Sequence, residues 1–469
     1  MDQATPSGLT GLRTRSVAVL GAGITGLTAA RQLQKAGVPV TVFEASGRPG
    51  GVIGSIREGG WLHETGPNTL LDGSPAIAAL VADAGLESRS LHPGPAAKKR
   101  FIVRGGRPVS MPTSPWGFVS TPLFSAAAKL RLLGEPFVGR PPFGIEESVA
   151  EFTERRLGRE FLEYAVEPLV GGVYAGDPRR LSVRHGFPKL HALERDHRSL
   201  ILGAIALRRR AAGPAGRPLS FPDGLEELPR ALAGRLGEAV RLETRVAEVR
   251  RLDLGWRLTF TRSGETRTED FSAVVCALPA DALASLRFDG LPEAGDLSRM
   301  REIDHPPLVS ILTGHRREDV AHPLDGFGML VPSVERRSIL GTLFSSTLFP
   351  GRAPEGHVAL TTFAGGVRQP AVALLDDRSL IELVRGELAA LLGVRGEPAF
   401  LHVQRWPRAI PQYAVGFGAY QDICGAVETA APGWFIGGSC RDGTSLAACI
   451  DSGLRLAAAV QAASSPLFG

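Results

Sequence analysis

The sequence predicts an α/β fold, α+β when the whole chain is counted, in which a Rossmann-like nucleotide domain is interrupted by insertions. Three observations predict it. A strand, a glycine turn, a helix and a second strand follow one another from Ser16 to Gly51. Hairpin-like strands and an apolar strand return between Val240 and Leu278, and a mixed strand-and-helix pattern fills Leu308–Pro407. Near the end, the strand Trp434–Ile436 runs into Gly437-Gly438 and then a helix.

In the first unit, Ser16–Leu20 reads as a buried strand, Leu27–Ala36 has helical apolar spacing, and Val38–Phe43 is a second strand ending in Glu44. Between strand and helix stands Gly21-Ala22-Gly23-Ile24-Thr25-Gly26, a G-x-G-x-x-G turn. Its first glycine allows the tight turn, the second lets the backbone approach a pyrophosphate, and the third lets helix and strand pack closely. The helix N-terminus offers free N–H groups and the positive end of its dipole to phosphates. Glu44 stands where a carboxylate accepts the hydroxyls of an adenosine ribose. The following Ala45-Ser-Gly-Arg48-Pro-Gly50-Gly51 completes an E-x-x-x-R-x-G-G extension. It is similar to that of a large family of FAD enzymes resembling amine oxidases, so the expected cofactor is FAD. Arg48 is placed to meet a phosphate or a neighbouring carboxylate.

With 469 residues the chain makes two or three domains, and 43% hydrophobic with 22% charged residues is ordinary globular composition. A net charge of +5 favours anionic partners: anionic lipid, a polycarboxylate or nucleic acid. Without a lysine-rich tract or an array of base-stacking aromatics, nucleic acid is excluded from the expected partners. Cys276, Cys424, Cys440 and Cys449 have neither C-x-x-C nor C/H ligand spacing, so they read as reduced thiols, with no metal site and a cytoplasmic location. Met1–Arg15 lacks the apolar run of a secretory signal. No window holds 18 consecutive apolar residues, so no transmembrane helix is expected.

Gly60–Asp72 is rich in turn-formers, and His63-Glu64 reads there as a polar loop pair. Ser74–Gly85 is a helix; Arg100–Val103 is a strand turned by Gly105-Gly106-Arg107-Pro108 into a hairpin. Ser110–Pro142 carries prolines, exposed-looking aromatics (Trp116, Phe118, Phe124, Phe137) and the cations Lys129, Arg131 and Arg140. Leu200–Leu207 is an apolar run ended by Arg208-Arg209-Arg210, a pattern that suits both an interfacial helix and an ordinary core helix. Ala211–Pro218 reads as a linker, Leu225–Leu236 as a helix opened by Phe221-Pro-Asp-Gly224, and Val240–Arg250, Trp256–Arg262 and Phe271–Leu278 as strands. Ser379–Leu392 is the one long helix of the second sheet region, and Ser439–Ser445 a polar loop before the helix Leu446–Val460.

Four further segments carry a family resemblance. Glu64-x-Gly66-Pro67-Asn68, Gly171-Gly-Val-Tyr-Ala-Gly-Asp177, Leu340-Gly-Thr-Leu-Phe-Ser-Ser346 with Leu348-Phe349-Pro350, and Phe435–Gly438 together resemble the protoporphyrinogen oxidases of haem and chlorophyll synthesis, in particular their plant-type branch. The resemblance runs over nearly the whole chain. It implies FAD-dependent oxidation of protoporphyrinogen IX to protoporphyrin IX, six electrons in three flavin cycles, with dioxygen as acceptor and hydrogen peroxide released. It also implies sensitivity to diphenyl-ether inhibitors.

The fold it implies has an FAD-binding domain (residues 12–90, 221–295 and 411–469), a mixed-sheet substrate-binding domain (91–109 and 296–410), a helical membrane-associating domain (110–210) and a linker (211–220). The last domain implies peripheral attachment to an anionic membrane surface at its cytoplasmic face. Whether the chain forms a homodimer, or passes product to a ferrochelatase, stays open.

Carried over by position, the resemblance implies FAD contacts from Gly21, Ala22, Gly23, Ile24, Thr25, Gly26, Glu44, Ala45, Arg48, Gly50, Gly51, Gly66, Pro67, Asn68, Val246, Gly437, Gly438 and Ser445. Arg100 matches the arginine that pairs with a substrate propionate, a role suited to a planar guanidinium. Phe349 matches an aromatic stacked on a pyrrole ring, and Met329 falls near the apolar position on the facing wall. Gly172, Val173, Tyr174, Ala175 and Gly176 match a turn that lines the pocket, and Asn68 an asparagine that orients substrate beside the flavin. The chain departs from the family at Gly438-Ser439-Cys440-Arg441-Asp442, where Gly-Asn is common; Asp442 adds a negative charge unless it points away or pairs with Arg441. Alternative readings are a coproporphyrinogen III oxidase, a flavin amine oxidase, and a porphyrin carrier without turnover.

Overall fold

A computed structural model describes residues 16–142, 144–210, 216–290 and 296–467. The first body is a five-stranded parallel sheet in the order Trp434–Ile436, Ala273–Cys276, Val17–Leu20, Val40–Phe43 and Val240–Arg241. Val17–Leu20 is apolar at every position because both of its faces are covered, the pattern of a central parallel strand. On one face lie the helices Ile24–Lys35, Glu227–Leu236 and Leu446–Leu467. On the other lie the antiparallel meander Thr244–Leu252, Gly255–Arg262 and Glu265–Phe271 and the helix Gly418–Ala430. Strand order reverses between Val17–Leu20 and Ala273–Cys276, and open α/β sheets hold ligands at the carboxyl ends of the strands at such a reversal.

The expected strand Phe271–Leu278 is divided in two. Phe271 closes the meander, pairing with Trp256, and Ala273–Cys276 enters the parallel sheet, so the chain changes sheets at Ser272. The expected polar pair His63-Glu64 is instead inside the strand Trp61–Glu64, buried throughout and paired with Ser55–Glu58. Its polar side chains concealed the strand, since their partners are distant in sequence. The linker is also shorter than expected: 211–215 lie outside the described residues, while Pro218–Leu219 pairs with Leu70–Leu71 and Ser220 is buried.

The second body is a seven-stranded mixed sheet in the order Phe400–Trp406, Leu308–Arg316, His357–Gly365, Gly341–Leu343, Gly326–Leu330, Lys99–Arg104 and Arg107–Ser110. One face packs under the helix Asp377–Leu392, which Asp376 caps at its start and Gly393 ends in the left-handed conformation (φ 63°). The other face meets the first body, with Trp61 seated on Leu312 and Ala359 and stacked against Phe400.

The stretch 115–210 is mainly helical. Its centre is ionic: Arg156, fully buried, bonds Glu194 through Nε (2.6 Å) and Glu135, while Glu135 also accepts from Ser199 Oγ (2.5 Å) and Leu200 N (2.9 Å), capping the helix Leu200–Arg210. Of the four aromatics expected at its surface, Trp116 is 80% and Phe137 90% exposed. Phe124 is instead buried against Phe161 (ring centroids 4.2 Å apart), with Phe118 packed beside both. The side chains of Arg208–Arg210 lie outside the described residues.

The C-terminal helix has a mean hydropathy of 1.2 over Leu446–Ala463 and is by length and composition able to cross a membrane. It is, however, packed against Ile24–Lys35, with Ile450, Leu456, Ala457 and Val460 in the core. The two helices touch backbone to backbone at Gly453, where a Cβ would stand 2.5 Å from Thr25 O and 2.8 Å from Thr28 Cβ. Gly453→Ala is expected to lower stability by about 1–3 kcal/mol by prising the pair apart. Gly386→Ala, at an exposed site in Asp377–Leu392 with open space around it, is expected to raise stability by about 0.5–1 kcal/mol. Thermal unfolding of the two variants beside the parent measures both.

Candidate active site

The carboxyl end of Val17–Leu20 carries the glycine turn. Gly21 is at φ +96°, and a Cβ on Gly26 would strike Gly21 O, so both positions need glycine for turn and packing. Gly23 differs: nothing lies within 4 Å of where its Cβ would be, and the helix that begins at Ile24 has no side-chain cap. The turn therefore presents open space in front of an uncapped helix N-terminus, the geometry of a phosphate cradle. Thr25, in the first turn, donates its hydroxyl to Cys449 O (3.0 Å) and so ties this N-terminus to that of the last helix.

Glu44 ends the neighbouring strand. Its Oε2 accepts from Ala22 N and its Oε1 from Ser46 N and Oγ, all at 2.8 Å, which fixes the turn and the exposed Ala45 beside it. Arg48 turns its guanidinium onto Ile53 O (2.7 Å) and Gly51 O (2.9 Å), with Glu226 at 4.0 Å, so it braces its own loop. Gly50 donates to Ala22 O (2.8 Å) and pairs with Gly23, bringing the Gly50-Gly51 loop under the glycine turn. Gly66, where a Cβ would strike Val52 O, sets Pro67 and Asn68 on that loop, and Asn68 donates from Nδ2 to Gly66 O (3.2 Å). Val246 lies in the strand that leaves Glu44's side, where Thr244 N donates to Glu44 O (2.7 Å), and a bulge follows it before Glu248.

The second glycine pair begins the loop to the last helix. Gly437 is walled in by Ser452 and Asp442, and Gly438 lies against Thr25. Ser445 accepts from Ala448 N (3.1 Å) and caps the helix. Asp442, the departure from the family pattern, does not pair with Arg441. It accepts from Gly438 N (3.0 Å), Ser452 Oγ (2.5 Å) and Arg455 (2.6 Å), while Arg441 bonds Glu428 (2.8 Å) and Ile436 O (3.0 Å). The extra charge is thus neutralised inside the loop. Tyr413 completes it, donating to Ser439 O and accepting from Gly443 N, both at 2.8 Å.

In the second sheet, Arg100 is exposed, with its guanidinium over Phe327 (5.3 Å to the ring centroid). Phe327 packs with Ala97, Leu343, Leu348 and Phe349, so Arg100 and Phe349 share one apolar cluster. Met329 does not join them. Between Gly326 and Met329 the register with Lys99–Arg104 shifts, and Met329 faces the opposite core with Phe101 and Phe344. The irregularity at Gly328 (φ +153°) breaks the simple alternation, and Phe327 takes the position expected of Met329. Gly172–Gly176 forms the end of the helix Glu167–Tyr174: Val173 is exposed, Ala175 caps the helix at φ 51°, and Gln412 donates to Tyr174 O (2.9 Å), where its Oε1 would meet any Cβ on Gly176 at 2.5 Å. The segment rests on Leu330, beside the sheet.

Arg352, Glu64 and Trp406 carry the junction of the two bodies, and of these only Glu64 belongs to a local motif. Arg352, 2% exposed, reaches Glu64 (3.3 Å), Ser220 Oγ (2.6 Å) and the carbonyl of Phe221 (3.3 Å). Glu64 also accepts from Ser55 Oγ (2.5 Å) and Leu225 N (3.0 Å). Burial pushes the Glu64 carboxyl up to about 7 against the pull of Arg352, and lowers the Arg352 guanidinium against the pull of Glu64. Trp406 donates to Thr65 O (2.8 Å). Arg352 follows Phe349-Pro350-Gly351 directly, and that closeness to a motif residue was its only signal in sequence; Tyr413 and Trp406 had none.

Comparison with known proteins agrees with this geometry. Residues 24–461 match the family model for flavin containing amine oxidoreductase. Protoporphyrinogen oxidase 2, chloroplastic/mitochondrial, of Arabidopsis thaliana is 34% identical over 473 residues, covering 94% of this chain and 93% of that protein. The chain belongs to the protoporphyrinogen oxidase family of flavin-containing amine oxidoreductases. Coproporphyrinogen III oxidase of Bacillus subtilis (strain 168) is 29% identical over 468 residues, covering 94% of this chain and 96% of that one. The fold is also that of a solved Exiguobacterium sp. 255-15 structure assigned as a protoporphyrinogen oxidase, with TM-score 0.80, 24% identity and coverage of 96% and 100%.

The chain is therefore an FAD-dependent porphyrinogen oxidase, and its residues fit that cofactor. The open cradle at Gly23 suits the pyrophosphate and Glu44 the ribose hydroxyls. Glu44→Ala would leave the N–H groups of Ala22 and Ser46 unpaired at about 1–3 kcal/mol each, so FAD is expected to be held at least roughly tenfold more weakly. The flavin-to-protein absorbance ratio after dialysis measures this.

His63, 1% exposed and beside the His402 ring (centroids 5.0 Å apart), is pushed down to about 3, chiefly by burial and then by His402. An unfolded chain protonates this side chain near 6.5, so the folded state loses stability from His63 as pH falls from about 6.5 toward 3. His63→Leu is expected to lessen the fall in Tm between pH 7 and pH 4 relative to the parent. Parallel curves would show that this histidine is not the buried, uncharged group described.

Proposed function

We propose that this enzyme oxidises protoporphyrinogen IX to protoporphyrin IX with dioxygen as acceptor. The observation that carries this reading is the pairing of one free cation with an apolar, aromatic surface. Arg100 has no acidic partner among the described residues, whereas Lys99 pairs with Asp325 and Arg352 with Glu64. A substrate with two propionates at one edge and apolar groups elsewhere suits one guanidinium against Phe327, Leu343 and Phe349. Coproporphyrinogen III, with four carboxylates, would place further charge on that apolar cluster. It remains the second reading because one group of relatives carries that name at similar coverage.

When bound, FAD accepts a hydride from the porphyrinogen. The chain's own part is positioning. Arg100 binds a carboxylate bidentately, the half-buried Phe327 lies against a pyrrole ring with the buried Phe349 in the cluster beneath it rather than in contact with substrate, and the buried junction of the two bodies keeps water from the reacting face. Asn68, with Nδ2 turned onto Gly66 O, offers Oδ1 to a substrate N–H.

Attachment to an anionic membrane surface is part of the same proposal. Trp116, Val119, Leu130, Leu133 and Phe137 are each 60–90% exposed along one helical stretch. The cations among them are partly used internally: Lys129 donates to Val119 O (2.8 Å) and Thr121 O (2.7 Å), Arg131 to Glu154 O (2.9 Å) and Arg140 to Glu194 O (2.9 Å). Insertion of the apolar side chains is thus expected to contribute more than headgroup charge. In vesicle sedimentation, a Trp116→Ala/Phe137→Ala variant should bind less than the parent at any lipid charge; equal binding would remove this surface from membrane contact.

Anaerobic mixing of the flavin-loaded enzyme with each porphyrinogen tests the substrate. Rapid loss of flavin absorbance with protoporphyrinogen IX and slow loss with coproporphyrinogen III is expected, and the reverse order would assign the second reading. Arg100→Ala is expected to raise KM by roughly 10- to 100-fold, a charge-assisted hydrogen bond being worth about 1.5–3 kcal/mol, with kcat little changed. Unchanged kinetics would remove Arg100 from the site.

A further inference from the structure

His63 is a polar anomaly at the junction of the two bodies. It is 1% exposed, and neither Nδ1 nor Nε2 has a hydrogen-bond partner among the described residues. A neutral imidazole is both donor and acceptor, so burying it unpaired costs on the order of 1–3 kcal/mol for each group. The opposite wall carries a matching anomaly. Ser310 is 3% exposed, and its Oγ likewise has no partner among the described residues.

Register places these groups on one seam. In the second sheet Ser310 is opposite Gln404, and Leu312 is opposite His402. Alternate residues of a strand share a face, so Ser310, Leu312, His402 and Gln404 point the same way. Leu312 touches Trp61, which shows that this face fronts the strand Trp61–Glu64, where His63 lies two residues beyond Trp61. The His63 and His402 rings are in contact (centroids 5.0 Å apart, planes at 48°). Next to Leu312 on the other side stands Thr361, hydrogen-bonded to Ser345 Oγ (2.8 Å). A polar track thus runs between the bodies, and its His63 end lies three residues before Gly66-Pro67-Asn68. Buried waters typically make about three hydrogen bonds to such unsatisfied groups.

We propose that His63, His402 and Ser310 hold an internal water and form with it a relay that carries protons from the active site and back to it. The inference rests on oxidation of a porphyrinogen at the flavin and holds for either porphyrinogen. Over the three two-electron steps three methylene C–H bonds break with their electron pairs going to the flavin as hydride, and three protons are released, two from pyrrole N–H groups and one, through tautomerisation, from the fourth methylene, as the ring becomes conjugated. Each released proton has to be carried away from the substrate, and one has to be supplied again when dioxygen takes the electrons and hydrogen peroxide forms. A neutral imidazole takes a proton at one ring nitrogen while giving up the one on the other, so it passes charge without storing it. Its burial uncharged is therefore compatible with the role. His63 acts here as a relay and positioning residue, not as a group in contact with substrate.

A crystal structure of the flavin-loaded enzyme tests the water without turnover: density within hydrogen-bond distance of His63 and of Ser310 or His402 is expected, and a dry seam would overturn the proposal. Turnover in H2O and D2O tests the relay. His63→Leu is expected to lower kcat roughly 100-fold, the low end of what an assisted proton transfer contributes, and to raise the solvent isotope effect at unchanged KM. His63→Gln, which keeps a donor and an acceptor, should recover part of the rate. Should His63→Leu fail to fold, Ser310→Ala gives the same readouts with a smaller change of volume. Variants that keep the parental kcat and isotope effect would overturn the relay. Absence of oxidation of either porphyrinogen by the parent would count against the function itself, and the seam water would still be read from the crystal.

Discussion

The buried pair Arg352–Glu64 is the contact on which the rest of the arrangement depends. Arg352 comes from the second sheet's connections, three residues after Phe349, whereas Glu64, Ser220 and Phe221 belong to segments packed on the first body. Two charges removed from water repay that cost only when every lone pair and proton is used. Here Ser55, Leu225 and the carbonyls of Phe221 and Pro222 complete the network. Removing one partner from such a pair leaves the other buried and uncompensated, which costs about 3–5 kcal/mol. The same contact that joins the bodies therefore sets where Phe349 stands relative to the glycine turn.

A second constraint is the meeting of two helix N-termini. Ile24–Lys35 begins at the cradle and Leu446–Leu467 begins beside it; Thr25 is bonded across to Cys449 O, and Gly453 allows the close approach. Both dipoles present their positive ends to the same group of loops, a field that favours phosphates and other negative charge there. Asp442 would oppose that field if it were free. Its bonds to Gly438, Ser452 and Arg455 turn it into a brace for the loop.

Charge on the helical stretch follows the same economy. Arg156 lies between Glu135 and Glu194 in the interior, and Lys129, Arg131 and Arg140 spend donors on backbone carbonyls. What this leaves prominent at the surface is apolar, with Trp116 and Phe137 foremost. The chain has thus buried ionic side chains and exposed aromatic ones in the same region, the reverse of the usual distribution, and contact with a nonaqueous surface would account for the exposed set.

The sequence by itself determined the nucleotide half. Glycine spacing, a fully apolar first strand and an acid at the end of the second strand are local signals, because the physics of a βαβ turn acts within about thirty residues. The strand and loop positions of Arg100, Asn68, Phe349 and Gly438 could likewise be read from short motifs. Only the tertiary structure decided what depends on pairing between distant segments: that His63-Glu64 is a buried strand, that Phe327 and not Met329 faces Arg100, that Asp442 bonds Arg455, and that Arg352 joins the bodies. A polar residue in sequence looks like surface until its partner is found. The partners of Glu64 and His63 lie 288 residues away at Arg352 and in the distant strand Phe400–Trp406, where only folding brings them together.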